Sequence, residues 1–377
     1  MTTGSNSAPA DGKGQTYAKS GVDYSAMDPI KVLAQKSAAQ TAPNLNRFGA
    51  KEISASRGES AYVWEEADAY RALVIEGLGT KNLVADAMRK ITGKTYYDHL
   101  AQDTIAMVVN DLIVVGALPQ VVNAYFAIGD SNWMLDEQRA ADLITGWAAA
   151  CDKIGAAWGG GETPTLKGII EPNAIDLGGS AIGIINPKER LVLGDKLAAG
   201  DAIVLIESSG IHANGITFVR SLAQKDPNIY ESRLSDGRMF GEAILTPTHL
   251  YVELVRDLME AKLDMHYMVN ITGHGWRKLM RATKDLTYVV EDILPPQPEF
   301  LFMQQQAAVD DEEMYGNFNM GAGFAVFLPQ ADADKVVEHA ARHGMKAIVA
   351  GRVEDGAKQV VIKPKNITFS AETLEVR

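Results

Sequence analysis

A single cysteine, Cys151, stands among 377 residues. An internal disulfide and any multi-cysteine metal site are thereby excluded, and a reducing compartment fits. Cys151 falls in a stretch with amphipathic helical spacing, DEQRAADLITGWAAACDKIG, and reads as a core thiol rather than a nucleophile. Positive charge is scarce as well: 36 Lys and Arg face 48 Asp and Glu, a net charge of −12. This balance argues against a general nucleic-acid binder, whose affinity rests on neutralised phosphates. A local basic pocket for a small phosphorylated ligand is still compatible with it. No run approaches the roughly 20 apolar residues that a membrane helix needs, so no membrane partner is expected. The opening MTTGSNSAPADGKGQ lacks an apolar secretory core and reads as a flexible arm. A cytoplasmic protein is the expectation. The phosphate loop GxxxxGK[ST] is also missing.

What is there suits a globular enzyme of two medium domains. The arm and a first helix, AMDPIKVLAQKSAAQTA, take residues 1–45. A region over 46–188 holds a strand (RALVIEG), a glycine turn, a helix, a second strand (QVVNAYFAI), the long helix containing Cys151, and an extended AIDLGGSAIGIINP. The polar, turn-rich NPKERLVLGDKLAAGD marks a boundary, and 189–377 forms the last region. There the strand–glycine turn–helix theme recurs in DAIVLIESSGIHANGITFVRSLA and DMHYMVNITGHGWRKLMRAT. Strands and helices alternate, but several glycine-broken strands look antiparallel, so the expected class is α+β.

The stretch TIAMVVNDLIVVGALP, residues 104–119, reads as a buried helix that carries Asn110 and Asp111 in its middle. A seven-residue step is about 20° short of two helical turns, so Asp103 and Asn110 share a line, with Asp111 about 80° round. A buried carboxylate needs a partner, backbone donors or a cation. The stripe is compatible with all three. EGLGTK places Glu76 before Gly77 and Gly79, and GGGET places Glu162 after Gly160 and Gly161. Both put a carboxylate beside backbone with little side-chain bulk, which suits either a tight turn or a held cation or phosphate. SSGIHANG offers Ser209, Gly210, His212 and Asn214, and NITGHGWRK offers Asn270, Thr272 and His274, each between a strand and a helix start. Singly, each histidine suits a surface or structural role. Together, the four segments describe a metal–nucleotide site facing a phosphate-bearing substrate.

These segments resemble those of phosphoribosylformylglycinamidine cyclo-ligases, also called aminoimidazole ribonucleotide synthetases. YAKSGVD resembles the family's Y-x-x-x-G-V-D, EGLGTK its D-G-V-G-T-K, and DTIAMVVNDL its D-L-V-A-M-x-V-N-D-L. GGGET, SSGIHANG, LTPTHLY and MYGNFNMGAGF resemble V-G-G-E-T, S-S-G-x-H-S-N-G, L-T-P-T-R-I-Y and M-Y-R-T-F-N-x-G-x-G-M. The resemblance runs from about Tyr17 to the C-terminus. It implies a two-domain PurM-like fold, with N-terminal domains of two subunits pairing into a dimeric β-barrel and an α/β sandwich-like C-terminal domain. It also implies ATP and Mg²⁺ as cofactors, a homodimer, and ring closure of a phosphorylated ribonucleotide, formylglycinamidine ribonucleotide.

Position by position, the resemblance implies Glu76, Asp103, Asp111 and Glu162 for the metal, with Asp103 also in the reaction centre. It implies Gly77, Gly79, Thr80, Lys81, Asn110, Gly160 and Gly161 for ATP, and Ser209, Gly210, Asn214 and Thr272 for substrate. His212 and His266 are expected to move protons. Four departures stand out: Glu76 replaces an aspartate, Asn270 the second histidine of H-x-x-x-H, His274 a glycine of T-G-G-G, and Gly316 the arginine of M-Y-R-T-F-N. A neutral amide cannot act as acid or base, so His274 is expected to return an imidazole to the pocket. The GGIGGFG-type run is shortened to NRFGA. Two alternatives stand beside ring closure: a related enzyme phosphorylating another amide or carboxylate, and a non-catalytic nucleotide-binding homologue. The arm followed by Lys31 and Lys36 is compatible with a lid.

Overall fold

The computed structural model describes residues 24–374; the glycine-rich arm and the YAKSGVD segment lie outside them. Helix α1 (Tyr24–Ala39) leads into the first sheet. That region contains β1 (Lys51–Glu52), β2 (Tyr62–Glu65), β3 (Tyr70–Gly77), α2 (Lys81–Thr92), α3 (Tyr97–Ile113), β4 (Leu118–Ile128), α4 (Glu137–Ile154), β5 (Ala157–Glu162) and β6 (Ile175–Ile185). The strand order is β1-β2-β3-β6-β4-β5. All pairs are antiparallel except β4–β5, which α4 joins as a crossover.

Strand β3 shows why one face is covered. Ala72 and Val74 are buried while Leu73 and Ile75 point outward, the period-two pattern of a strand with one packed face. Helix α3 lies on the packed side against β3, β6 and β4. Two glycines of β6 let it approach. A Cβ at Gly183 would come 2.7 Å from Leu112, and one at Gly179 would come 3.5 Å from Val108. The opposite face leaves Leu73, Ile75, Val121, Tyr125 and Ile182 exposed, with Ile75 at 79%.

The helix expected over 104–119 ends at Ile113. Gly116 turns the chain with φ +84°, tight against the carbonyl of Arg190, and β4 begins at Leu118. An apolar run alone does not distinguish helix from buried strand.

The second region contains β7 (Asp201–Glu207), α5 (Ile216–Lys225), α6 (Phe240–Ile244), α7 (Val252–Glu260), β8 (Tyr267–Asn270), β9 (Leu286–Val290), α8 (Pro298–Ala307), α9 (Asp311–Asn317), β10 (Ala322–Pro329), α10 (Ala333–Arg342), β11 (Ala347–Asp355), β12 (Gln359–Ile362) and β13 (Ile367–Ser370). Its sheet runs β13-β12-β9-β11-β7-β10-β8, antiparallel except β9–β12. Residues 202–206 of β7 are wholly buried, as expected of a central strand covered on both faces. The two sheets with their helices make an α+β fold. After β8 the chain forms a short 3₁₀ segment, Gly275–Met280, where the sequence pattern suggests an α-helix. His274 precedes it in the left-handed region, φ +70°.

Candidate active site

The polar stripe of α3 is where the two regions meet. Asp103 is fully buried; its Oδ1 accepts from the backbone N–H of Thr248 (2.8 Å) and from Thr248 Oγ1 (2.5 Å). Its Oδ2 lies 2.7 Å from Lys81 Nζ, whose side chain is equally buried. Lys81 also donates to the carbonyls of His212 (2.8 Å) and Thr246 (3.2 Å). Asn110 uses both ends of its amide on the same segment, donating to His249 O (2.8 Å) and accepting from Tyr251 N (3.1 Å). The LTPTHLY segment is thus held against α3 by a buried ion pair and by a side-chain amide that satisfies extended backbone. Asp103, Lys81 and Asn110 are compensated by protein groups alone.

Asp111 faces elsewhere. Its Oδ1 accepts from Asn270 Nδ2 at 2.7 Å, and it lines a cleft of about 640 Å³ between the two regions. Glu76, Asn214, Thr272, His274, Lys278 and Arg281 line the same cleft, with Glu59 and Ser60 from the turn before β2. Lys31, Ala34 and Gln35 of α1 form one wall. Burial, then the neighbouring charge of Asp111, pushes the Glu76 carboxyl up to about 7. Burial also pulls the Lys278 ammonium down to about 8, partly opposed by Asp111. Lys278 donates to Thr272 Oγ1 and to Asn270 O (3.4 Å). Arg281 binds Gly58 O (2.9 Å) and Ser60 Oγ (2.9 Å), and Tyr267 donates to Glu59 (2.8 Å), bracing the cleft mouth.

The expected site residues therefore separate. Glu76, Asp111, Asn214, Thr272 and His274 come together in the cleft. His274 lines the cleft together with Asp111 and Lys278. Asp103 and Lys81, expected as metal and phosphate ligands, are spent on each other. His212 is buried in the second region, with Nε2 accepting from Ser209 N (3.1 Å). Burial holds its imidazole well below its usual range, so it is neutral. Ser209 Oγ donates to Pro247 O (2.6 Å), and the Gly210 carbonyl accepts from Asn319 (2.9 Å).

His266 opens the approach to β8, paired to Asp201 (2.8 Å), and Asn270 ends that strand. Four residues of strand put the two about 13 Å apart. Glu162 lies exposed at the end of edge strand β5. Glu76 pairs with Gly179, Gly179 with Ala124, and Ala124 with Gly161, so three strand spacings, about 14 Å, separate Glu162 from Glu76. Gly160, with φ +121°, and Gly161, against Ala124 O, serve the β-bulge at that edge. Gly77 closes β3, and Gly79 turns the chain with φ +74° into α2. Thr80 Oγ1 there is buried, and among the described residues it has no hydrogen-bond partner.

Sequence reasoning missed Arg281 and Glu59, and did not single out Lys278, the last residue of NITGHGWRK, as a site residue. No motif marks them; the fold brings them in from separate segments.

The chain matches the AIR synthase related protein N-terminal domain over residues 58–185 and the C-terminal domain over 198–363. It is 33% identical over 345 residues to a phosphoribosylformylglycinamidine cyclo-ligase of Methanococcus maripaludis, covering 91% of this chain and 93% of the relative. The Methanosarcina barkeri enzyme of that name is 35% identical over 353 residues, covering 92% and 98%. The chain belongs to the phosphoribosylformylglycinamidine cyclo-ligase family. Among solved structures, one described as AaThiL complexed with AMPPCP and TMP has a similar fold. It has a TM-score of 0.55 at 16% identity, covering 82% of this chain and 89% of the other.

Proposed function

We propose that this chain closes an imidazole ring, converting formylglycinamidine ribonucleotide to aminoimidazole ribonucleotide with ATP. The observation that carries the reading is the cleft. Two crowded carboxylates, Glu76 and Asp111, face cationic Lys278 and Arg281 in a chain of this family. In the reaction the formyl oxygen attacks the γ-phosphorus and ADP leaves. The amidine nitrogen then bonds to the activated carbon, the carbon–oxygen bond breaks, and phosphate departs with one proton lost from nitrogen. The protein's tasks are positioning and charge neutralisation.

Among the described residues no group of three or more Asp, Glu, His or Cys side chains could hold a metal. Mg²⁺ is nonetheless commonly bound by one or two carboxylates plus substrate phosphates. Glu76 and Asp111 fit that donor set: both line the cleft, Glu76 is crowded by the charge of Asp111, and a cation would relieve it. Bound there, Mg²⁺ would neutralise phosphate charge. Asn270 orients Asp111 through its amide. His274 is positioned to take the proton released from the amidine nitrogen.

The working unit is a homodimer in which the exposed face of the first sheet packs on a second copy. A monomer would leave Leu73, Ile75, Val121, Tyr125 and Ile182 in water. Among the described residues no helix is long and apolar enough to cross a membrane, and we place the enzyme in the cytoplasm. A coupled assay of the purified protein with Mg²⁺–ATP tests the reading by following ADP and aminoimidazole ribonucleotide together. Equal yields support ring closure; ATP binding without product removes it.

A further inference from the structure

We propose that Lys278 is a catalytic residue that contacts the phosphoryl group as it passes from ATP to the formyl oxygen. This rests on the ring-closure reading above. Lys278 is only 9% exposed, yet its side chain lines an open cleft. An ammonium has three N–H donors. Two are held, by Thr272 Oγ1 and Asn270 O, and these fix the head group at the end of β8. Among the described residues the third has no acceptor.

Asp111 and Glu76 act on Lys278 electrostatically, and among the described residues no direct ion pair joins either of them to it. The buried carboxylate of Asp111, the half-buried one of Glu76 and a buried ammonium thus face one cleft. Phosphate oxygens alone would be repelled by the carboxylate side, and a cation alone by the ammonium side. A phosphoryl group carrying a cation satisfies both: the cation meets Asp111 and Glu76, and a phosphoryl oxygen meets Lys278. Asn270 belongs to both halves, since its amide holds Asp111 while its carbonyl holds Lys278. The order carboxylate, cation, phosphoryl, ammonium is the one arrangement in which every neighbour is of opposite sign. As the γ-phosphorus bond to ADP breaks and the bond to the formyl oxygen forms, charge on the equatorial oxygens is met by a donor already in place.

The test compares Lys278→Met and Lys278→Arg with the unaltered protein. Lys278→Met should lower kcat for substrate-dependent ADP release by about 100-fold, with KM for ATP changed less than about threefold. Lys278→Arg, which keeps the charge, should recover at least about tenfold of that loss. Affinity for inorganic phosphate, measured by calorimetry with Mg²⁺–ADP present, should fall about tenfold in Lys278→Met. A kcat within about threefold of the unaltered protein, equal impairment of the two variants, or unchanged phosphate affinity each overturns the proposal. If Lys278→Met does not melt cooperatively, Lys278→Arg decides: kcat within about tenfold supports the role and a larger loss overturns it. Absence of substrate-dependent ADP release in the unaltered protein refutes ring closure instead, and the phosphate affinities then judge Lys278 alone.

Discussion

Replacing Lys81 by methionine separates two roles that follow a phosphate-loop motif. Lys81 Nζ lies 2.7 Å from Asp103 Oδ2, and both side chains are fully buried. Methionine keeps the length and removes the charge, which leaves a buried carboxylate with only the Thr248 donors. Breaking such a pair by removing one partner costs about 3–5 kcal/mol. The His212 and Thr246 carbonyls also lose their donor, at roughly 1 kcal/mol each. A total loss of about 5–7 kcal/mol is therefore expected. For 377 residues the unfolding entropy is about 0.8 kcal/mol/K, so the melting midpoint should fall by about 6–9 °C. Lys81→Met with Asp103→Leu removes both charges and should regain at least about 2 kcal/mol, a coupling that calorimetric melting of the four proteins measures. ATP affinity should change little beyond what instability explains. If Lys81→Met melted within about 1 °C of the unaltered protein while ATP binding fell tenfold or more, Lys81 would be a phosphate ligand, and the interdomain reading would be refuted.

Other outcomes follow from the same geometry. His274 holds a left-handed backbone, so His274→Gly should gain about 1 kcal/mol of stability while turnover falls at least about 100-fold; unchanged turnover removes the imidazole from the reaction. The raised carboxyl of Glu76 contributes stability to the ligand-free protein that is fully present below its unfolded value of 4.5 and lost as pH rises through about 7. Glu76→Gln should flatten the melting midpoint across this window, and an unaltered slope would assign it to another group. Ile75→Lys on the open sheet face should yield monomers by sedimentation; a retained dimer would place the interface elsewhere. Cys151 is buried with its thiol pushed up to about 11, so maleimide should label it only on unfolding.

Much of the architecture was legible because one-sided packing leaves a periodic trace. The alternation of RALVIEG and the glycine-ended helix before Gly155 translate into β3 and α4. The α3 stripe was legible as a problem, three polar groups with no visible compensation. Its solution was not, since apart from Lys81 the partners of Asp103 and Asn110 sit about 140 residues away, mostly on backbone atoms of residues 248–251. Backbone donors and acceptors carry no residue identity, so no motif could announce them. The same limit explains His212. A histidine in a glycine turn suits an anion site or a buried acceptor equally well, and only its contact with Ser209 N distinguishes them.

The departures from the family motifs are isolated losses in sequence but form spatial pairs. Asn270, where a histidine is expected, donates to Asp111, a task a neutral amide performs without titrating. His274 enters the same cleft four positions later. At Gly316, where the motif carries arginine, a Cβ would come 2.7 Å from the guanidinium of Arg277. Arg277 donates to the Gly316 carbonyl and stacks 4.7 Å from the centre of the Phe369 ring. The space a longer residue would need at 316 is filled from position 277, so restoring arginine there alone would collide with its replacement. Gly316→Arg should therefore destabilise the chain, by about 1–3 kcal/mol for an overpacked site, and Arg277→Ala in the same protein should relieve much of that cost. Additive losses in the double variant would show that the two positions are independent. Recovery would show that substitutions which look like erosion of a site one at a time are exchanges of position within a conserved shape.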